Sequence, residues 1–191
     1  AVAEHTGMGR ERIVLGNGSN DLLDILARVF LAPGRSAVYA QYAFAVYPLA
    51  TISAGGEPIA VPALNFGHDL DAMRAAIRPD TRLVWMANPN NPTGTFIPYP
   101  VLKAFLHSLP KEVVVVLDEA YNEYIPAAEH VDTTPWVNEF PNLVLTRTFS
   151  KIYGLAGLRV GYALASAEVA DLMNRIRQPF NCNNLALAAA T

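Results

Sequence analysis

The sequence predicts an α/β domain of three layers around a mostly parallel sheet of seven strands. Three observations carry that expectation. Short apolar runs recur along the chain, several of them continuous rather than alternating, as in strands covered on both faces. Segments with helical spacing separate these runs, and strand–helix alternation favours parallel pairing. The chain has 191 residues, 52% hydrophobic and 16% charged, which is enough to bury one core in one domain.

Strands are expected at residues 13–15, 37–40, 58–61, 83–87, 113–117, 143–147 and 160–163. The first helix is expected over 21–31, where Leu22, Leu23, Ile25, Leu26, Val29 and Phe30 recur at helical spacing. Residues 69–77, 99–109 and 168–177 read in the same way. The longest irregular stretch, 125–142, is expected to hold a short helix around 134–140, and 185–191 reads as helical. There is no repeat, low-complexity segment or domain linker, so residues 1–191 are expected to form one unit. The chain opens on Ala1 and closes inside a helical run, so both ends look cut.

Composition excludes several classes. The net charge of −3 gives no footprint for nucleic acid or an anionic membrane surface. No apolar run approaches the ~18 residues of a bilayer span. A single cysteine, Cys182, rules out a disulfide within the chain and favours an intracellular, cytoplasmic setting. His5, His68, His107 and His130 are scattered without metal-ligand spacing.

Four motifs carry candidate chemistry. Gly16-Asn17-Gly18-Ser19-Asn20 follows a strand and opens an amphipathic helix. Backbone N–H groups there suit a phosphate. An ordinary helix start, with Ser19 or Asn20 as N-cap, explains the pattern equally well. The third glycine of a dinucleotide fingerprint is absent. Asn88-Pro89-Asn90-Asn91-Pro92-Thr93-Gly94 follows another strand. It is either a dense turn or a backbone fixed by X-Pro bonds, with a cis bond expected among them, at a strand end where ligands bind.

The run 113–117 ends in Asp118-Glu119-Ala120-Tyr121. An acid at the end of a buried strand is costly unless paired, and Asp118 suits a protonated ring nitrogen. A helix cap or a metal-binding acid is the alternative, although no Walker-type loop accompanies it. Finally, Thr146-Arg147-Thr148-Phe149-Ser150-Lys151 leads into Gly154, Gly157, Arg159 and Gly161. Hydroxyls and Arg159 suit a phosphate. Lys151 is either a surface lysine or a nucleophilic amine whose pKa is lowered by burial and neighbouring positive charge.

In this order, these motifs resemble fold-type I enzymes of the class I/II aminotransferase family, which use pyridoxal 5'-phosphate (PLP). The resemblance covers the whole chain, and the stretch Gln41 to Thr51 is similar to the bacterial histidinol-phosphate branch. The resemblance implies that Lys151 forms the Schiff base and that Asp118 pairs with the pyridine nitrogen. It implies that Asn91 and Tyr121 hydrogen-bond the phenolate oxygen and that Phe44 stacks on the ring. Gly18, Ser19 and Asn20 then hold the phosphate at a helix start, together with Thr148, Ser150 and Arg159. Tyr42 stands where relatives commonly carry proline, and Pro92 follows the asparagine often found before a cis-proline.

The implied unit is the PLP-binding large domain, without the N-terminal arm and C-terminal small domain of a whole enzyme. The implied substrates are histidinol phosphate and 2-oxoglutarate or glutamate, and the implied assembly is a homodimer. An aromatic aminotransferase, a threonine-phosphate decarboxylase and a non-catalytic aminotransferase-like binding module share the same core and stay open at this point.

Overall fold

The computed structural model describes residues 1–191. In chain order the elements are α1 (Val2–Thr6), β1 (Ile13–Gly16), α2 (Ser19–Phe30), β2 (Ser36–Ala40), α3 (Val46–Ser53), β3 (Glu57–Val61), α4 (Leu70–Ala75) and β4 (Thr81–Ala87). They continue with α5 (Tyr99–Ser108), β5 (Val114–Asp118), α6 (Trp136–Glu139), β6 (Leu143–Thr148), β7 (Gly161–Leu164), α7 (Ala167–Ile176) and α8 (Asn184–Ala189).

The strands form one seven-stranded sheet in the order β1-β7-β6-β5-β4-β2-β3. The pairs from β6 across to β3 are parallel, and β7 runs antiparallel to both β6 and β1. All seven expected strands are present, with bounds displaced by a residue or two, the usual latitude at element ends. Continuous apolar sequence corresponds to burial on both faces: every residue of β2, β5, β6 and β7 is buried.

Side-chain alternation divides the core into two. Leu83, Trp85, Val114, Val116 and Val144 point to one face, where they meet Leu22, Leu26, Tyr47 and Met173 of α2, α3 and α7. Val84, Met86, Val115, Leu117 and Leu145 point to the other, where they meet Met73, Leu102, Phe105 and Trp136 of α4, α5 and α6. The result is the three-layer architecture.

Two helices were not expected from the sequence. The five residues of α1 are too few for a period to show. In α3 the buried residues Tyr47, Ala50 and Thr51 do follow helical spacing, but Leu49 and Ile52 are apolar and exposed, which hides the stripe. Pro48 fits there because first-turn N–H groups have no partner within the helix.

Leu26 is fully buried against the sheet, whereas Leu49 is 63% exposed. Leu26→Ala is expected to lower unfolding free energy by about 2–5 kcal/mol, read from urea midpoints. Leu49→Ala is expected to stay within about 0.5 kcal/mol of the parent. Equal losses at the two positions would contradict the layer assignment.

Candidate active site

In open α/β sheets, ligands sit where the chain leaves the carboxyl ends of the strands. Here those ends belong to β4, β5 and β6. Asp118 closes β5, opposite Ala87 on β4 and Thr146 on β6. Strand alternation puts it on the same face as Val114 and Val116, the side covered by α2 and α3.

Asp118 is 5% exposed and has three partners. Oδ1 accepts from the Thr146 hydroxyl (3.2 Å) and the Ala120 N–H (3.2 Å), and Oδ2 accepts from the Tyr47 hydroxyl (3.0 Å). Burial pushes its pKa up to about 6, and the three hydrogen bonds oppose that rise. Burial, and then the neighbouring Asp118 charge, push the Tyr47 hydroxyl well above the usual tyrosine range, so Tyr47 keeps its proton and donates it.

The next residue, Glu119, points the other way. Its carboxylate accepts from Arg147 Nε at 2.8 Å and from the Thr133 hydroxyl, and its N–H donates to the Thr146 carbonyl at 2.9 Å. Both ends of the Glu119–Arg147 pair are buried. Arg147 therefore braces the sheet from behind and does not line the cleft.

At the start of α2 no side chain caps the helix. The alternative reading, with Ser19 or Asn20 as N-cap, is not what forms. Gly18, at φ 80°, takes that position, and Ser19 is already helical. The Asn17 N–H is instead closed by Asp21 Oδ2 at 2.8 Å. The side chains of Ser19 and Asn20 both line the cleft. A Cβ on Gly18 would lie 2.3 Å from Arg159 Nη2, so glycine is needed for both backbone angle and close approach. Arg159 Nη2 donates to the Asn17 carbonyl (3.3 Å), and Nη1 donates to the Ala156 carbonyl (3.1 Å) and reaches Ser150 Oγ (3.5 Å). A guanidinium thus lies beside the positive end of a helix, where an anion is favoured.

After β4 both X-Pro bonds, Asn88-Pro89 and Asn91-Pro92, are cis. Asn88 is buried and pins the loop, donating to the Ile97 carbonyl (3.0 Å) and accepting from its N–H (2.8 Å). Asn90 donates to the Tyr42 carbonyl (2.8 Å) and to Thr93 Oγ1 (2.7 Å). With its neighbours committed to the loop, Asn91 lines the cleft.

Lys151 follows the end of β6 in a bend, with Nζ 5.1 Å from the centroid of the Tyr121 ring. The expectation that Lys151 is buried is corrected: its side chain is exposed, because the bend carries it out to the mouth of the cleft. Ser19, Asn20, Phe44, Asn91, Asp118, Tyr121, Thr148, Ser150, Lys151 and Arg159 all line one cleft of about 130 Å³, with Ala87, Pro89 and Ala120 between them. Gly18 lies beneath Arg159 rather than in the lining.

The family profile described as aminotransferase class I and II matches residues 1–191. The chain belongs to that family. Among curated relatives, it is 76% identical over 189 residues to histidinol-phosphate aminotransferase 1 of Dechloromonas aromatica, covering 99% of this chain and 52% of that protein. It is 65% identical to histidinol-phosphate aminotransferase 1 of Thiobacillus denitrificans, covering 96% of this chain and 48% of that protein. The chain thus spans about half the length of the curated relatives it matches.

The fold is similar to a crystal structure of histidinol-phosphate aminotransferase from Sinorhizobium meliloti in complex with pyridoxal-5'-phosphate. The TM-score is 0.91 at 33% identity, covering 99% of this chain and 51% of that one. It is also similar to a Thermus thermophilus aspartate aminotransferase mutant, with a TM-score of 0.89 at 26% identity, covering 99% of this chain and 55% of that one.

Reading the sequence by motif missed Tyr47, which holds Asp118, and did not assign Thr146 to it. Parity along β6 is the signal that finds Thr146, because it shares a face with Thr148. Tyr47 carries no such signal, since it lies on the unexpected helix α3.

The raised pKa of Asp118 has a consequence for stability. The folded chain binds this proton more tightly than the unfolded chain, so the contribution is fully present below the ordinary value of 3.8 and is lost as pH rises through about 6. Asp118→Asn removes the ionisation. Relative to the parent, the variant is expected to gain on the order of 2 kcal/mol between about pH 4.5 and about pH 7.5, read as a difference in urea midpoints. A difference that does not change with pH would contradict the burial of this charge.

Proposed function

We propose that residues 1–191 are the PLP-binding large domain of a histidinol-phosphate aminotransferase. The reaction moves an amino group between L-histidinol phosphate and 2-oxoglutarate, which becomes glutamate when it accepts the group, in histidine biosynthesis. One observation carries the cofactor reading: a single cleft holds an anion-binding end, a buried carboxylate and a free amine. The substrate follows the name shared by relatives at 76% and 65% identity. The family resemblance adds a homodimer and a cytoplasmic setting.

The donor set fits PLP. The uncapped start of α2, with the Gly18–Arg159 close approach and the hydroxyls of Ser19, Thr148 and Ser150, suits a phosphate. Asn20 and Gly18 complete that end. Asp118 supplies a carboxylate in a desolvated place, where a charge-assisted hydrogen bond to a protonated ring nitrogen is strong. Such a partner would also favour the charged form of Asp118, which burial alone disfavours. Phe44 is half-buried beside the cleft and offers a ring face or edge for stacking.

When bound, PLP supplies an electron sink for the carbon that carries the amino group. Asp118 would hold the proton on the ring nitrogen and so maintain that sink. Tyr121 and Asn91 would donate to the phenolate oxygen. Arg159, Ser150, Thr148 and Ser19 would anchor the phosphate while the substrate is exchanged. Lys151 Nζ would hold the cofactor covalently and, once released, would take the proton from the substrate carbon bearing the amino group and deliver it to the cofactor carbon, as base and then acid. Its exposed position, beside Tyr121 and at the cleft mouth, gives it the access this role needs.

The test uses PLP, borohydride and mass spectrometry on the protein carrying this chain. Wild type is expected to retain a borohydride-stable PLP mass on the peptide containing Lys151, and Lys151→Ala to retain none. Arg159→Ala is expected to weaken PLP binding by roughly tenfold to a hundredfold, as for loss of a charged hydrogen bond. Amino transfer from histidinol phosphate should exceed that from phenylalanine. PLP trapped on another lysine, or preference for phenylalanine, would overturn the corresponding half of the reading.

A further inference from the structure

Tyr47 is a buried titratable group that the roles above do not use. It is fully buried, yet its hydroxyl donates to Asp118 Oδ2 at 3.0 Å. A closed circuit locks it in place. Its ring stacks on Trp85 with centroids 5.6 Å apart and planes 4° apart. The Trp85 indole N–H donates to Thr51 Oγ1 (3.1 Å), and the Thr51 hydroxyl donates to the Tyr47 carbonyl (2.8 Å). Trp85 and Thr51 are also fully buried. Phe44 meets the same ring edge-on at 5.9 Å. Tyr47 therefore lies behind both the acid and the aromatic residue of the cleft.

We propose that Tyr47 is a positioning residue for Asp118: clamped on Trp85, it holds a hydroxyl against Oδ2 and turns the free edge of the carboxylate to the cleft. Thr146 and the Ala120 N–H occupy Oδ1, so Tyr47 is the only side chain fixing Oδ2. A hydrogen bond to the charged form favours it, and the low-dielectric surroundings strengthen that effect. The other ionisable groups around Asp118 are accounted for. Glu119 disfavours its charge but is paired with Arg147, while Lys151, Tyr121 and Arg159 share the cleft on the solvent side. The consequence for the cofactor, a carboxylate preset for the ring nitrogen, rests on the PLP reading above.

The experiment titrates Asp118 without cofactor, by carboxyl ¹³C NMR of the protein carrying this chain, with the signal assigned by its loss in Asp118→Asn. Tyr47→Phe keeps the ring and its stacking but removes the donor. The Asp118 midpoint is expected to move up, and PLP affinity near neutral pH to fall by roughly threefold to tenfold. Trp85→Phe keeps an aromatic surface under Tyr47 but loses the indole bond to Thr51. It is expected to lower thermal stability and to move the midpoint less than Tyr47→Phe does. An unchanged or lowered midpoint in Tyr47→Phe would overturn the proposal, as would an equal displacement in Trp85→Phe. Because the titration is cofactor-free, failure of wild type to bind PLP would sink the cofactor reading alone. Normal PLP affinity with no midpoint shift would sink the role of Tyr47 alone.

Discussion

A carboxylate at the end of a central, fully buried strand is the constraint on which the rest of the site depends. Asp118 loses nearly all its water, and an unpaired charge there would be expensive. Three donors offset that cost, and each comes from a different part of the fold: Tyr47 from α3, Thr146 from β6 and the Ala120 N–H from the turn after β5. Each partner ties its own element down. The Thr146 bond requires β6 to lie in register beside β5, and the Tyr47 bond requires α3 to present its buried stripe over β4 and β5. The acid is thus both the most demanding group in the cleft and the reason the surrounding elements have little freedom.

The alternation of strand side chains separates reactive groups from bracing groups. Asp118, Thr146 and Thr148 share one face with Ala87, and all but Thr146 line the cleft. Glu119 and Arg147, each adjacent in sequence to one of these, share the opposite face and pair there among buried residues. A buried pair of this kind contributes little net stability, but loss of one partner strands the other. Its effect is to tie the ends of β5 and β6 together behind the cleft. Two neighbouring acids, Asp118 and Glu119, have opposite duties because a strand has a period of two.

Much of this was legible in the sequence. Continuous apolar runs identify the buried strands because burial on both faces removes polar alternation. Helices such as α2 are legible because one face is wet. The residues later found around the cleft are legible as residue types at strand ends, where few other demands explain an asparagine run, an acid or a lysine. What is not legible is whatever depends on distant packing. The stripe of α3 is hidden by exposed Leu49 and Ile52, so Tyr47 reads as one aromatic residue among several. The exposure of Lys151 is invisible because sequence shows that a strand ends but not where the following bend leads. The start of α2 lies two residues before the expected one, because Gly18, Ser19 and Asn20 are all acceptable N-caps. The close approach of Arg159, which requires glycine at position 18, involves a residue far along the chain.

That close approach also explains the direction of β7. The anion-binding end draws on the first turn of α2 and on Arg159, segments separated by most of the chain. They meet because the chain leaves β6 at Thr148, makes the loop that carries Ser150 and Lys151, and returns through Arg159 into β7. A return of this kind must run antiparallel to β6, and it slots β7 between β6 and β1. At the edge of that slot Gly16 of β1 pairs with Gly161 of β7. A Cβ on Gly161 would lie 2.7 Å from the Ser19 backbone nitrogen, and one on Gly16 would lie 2.6 Å from Leu22 Cγ. With larger residues at these positions, α2 would be held off the sheet and its first turn moved away from Arg159. The one strand that departs from the parallel pattern, and the paired glycines beside it, therefore bring a helix start and a guanidinium to the same point.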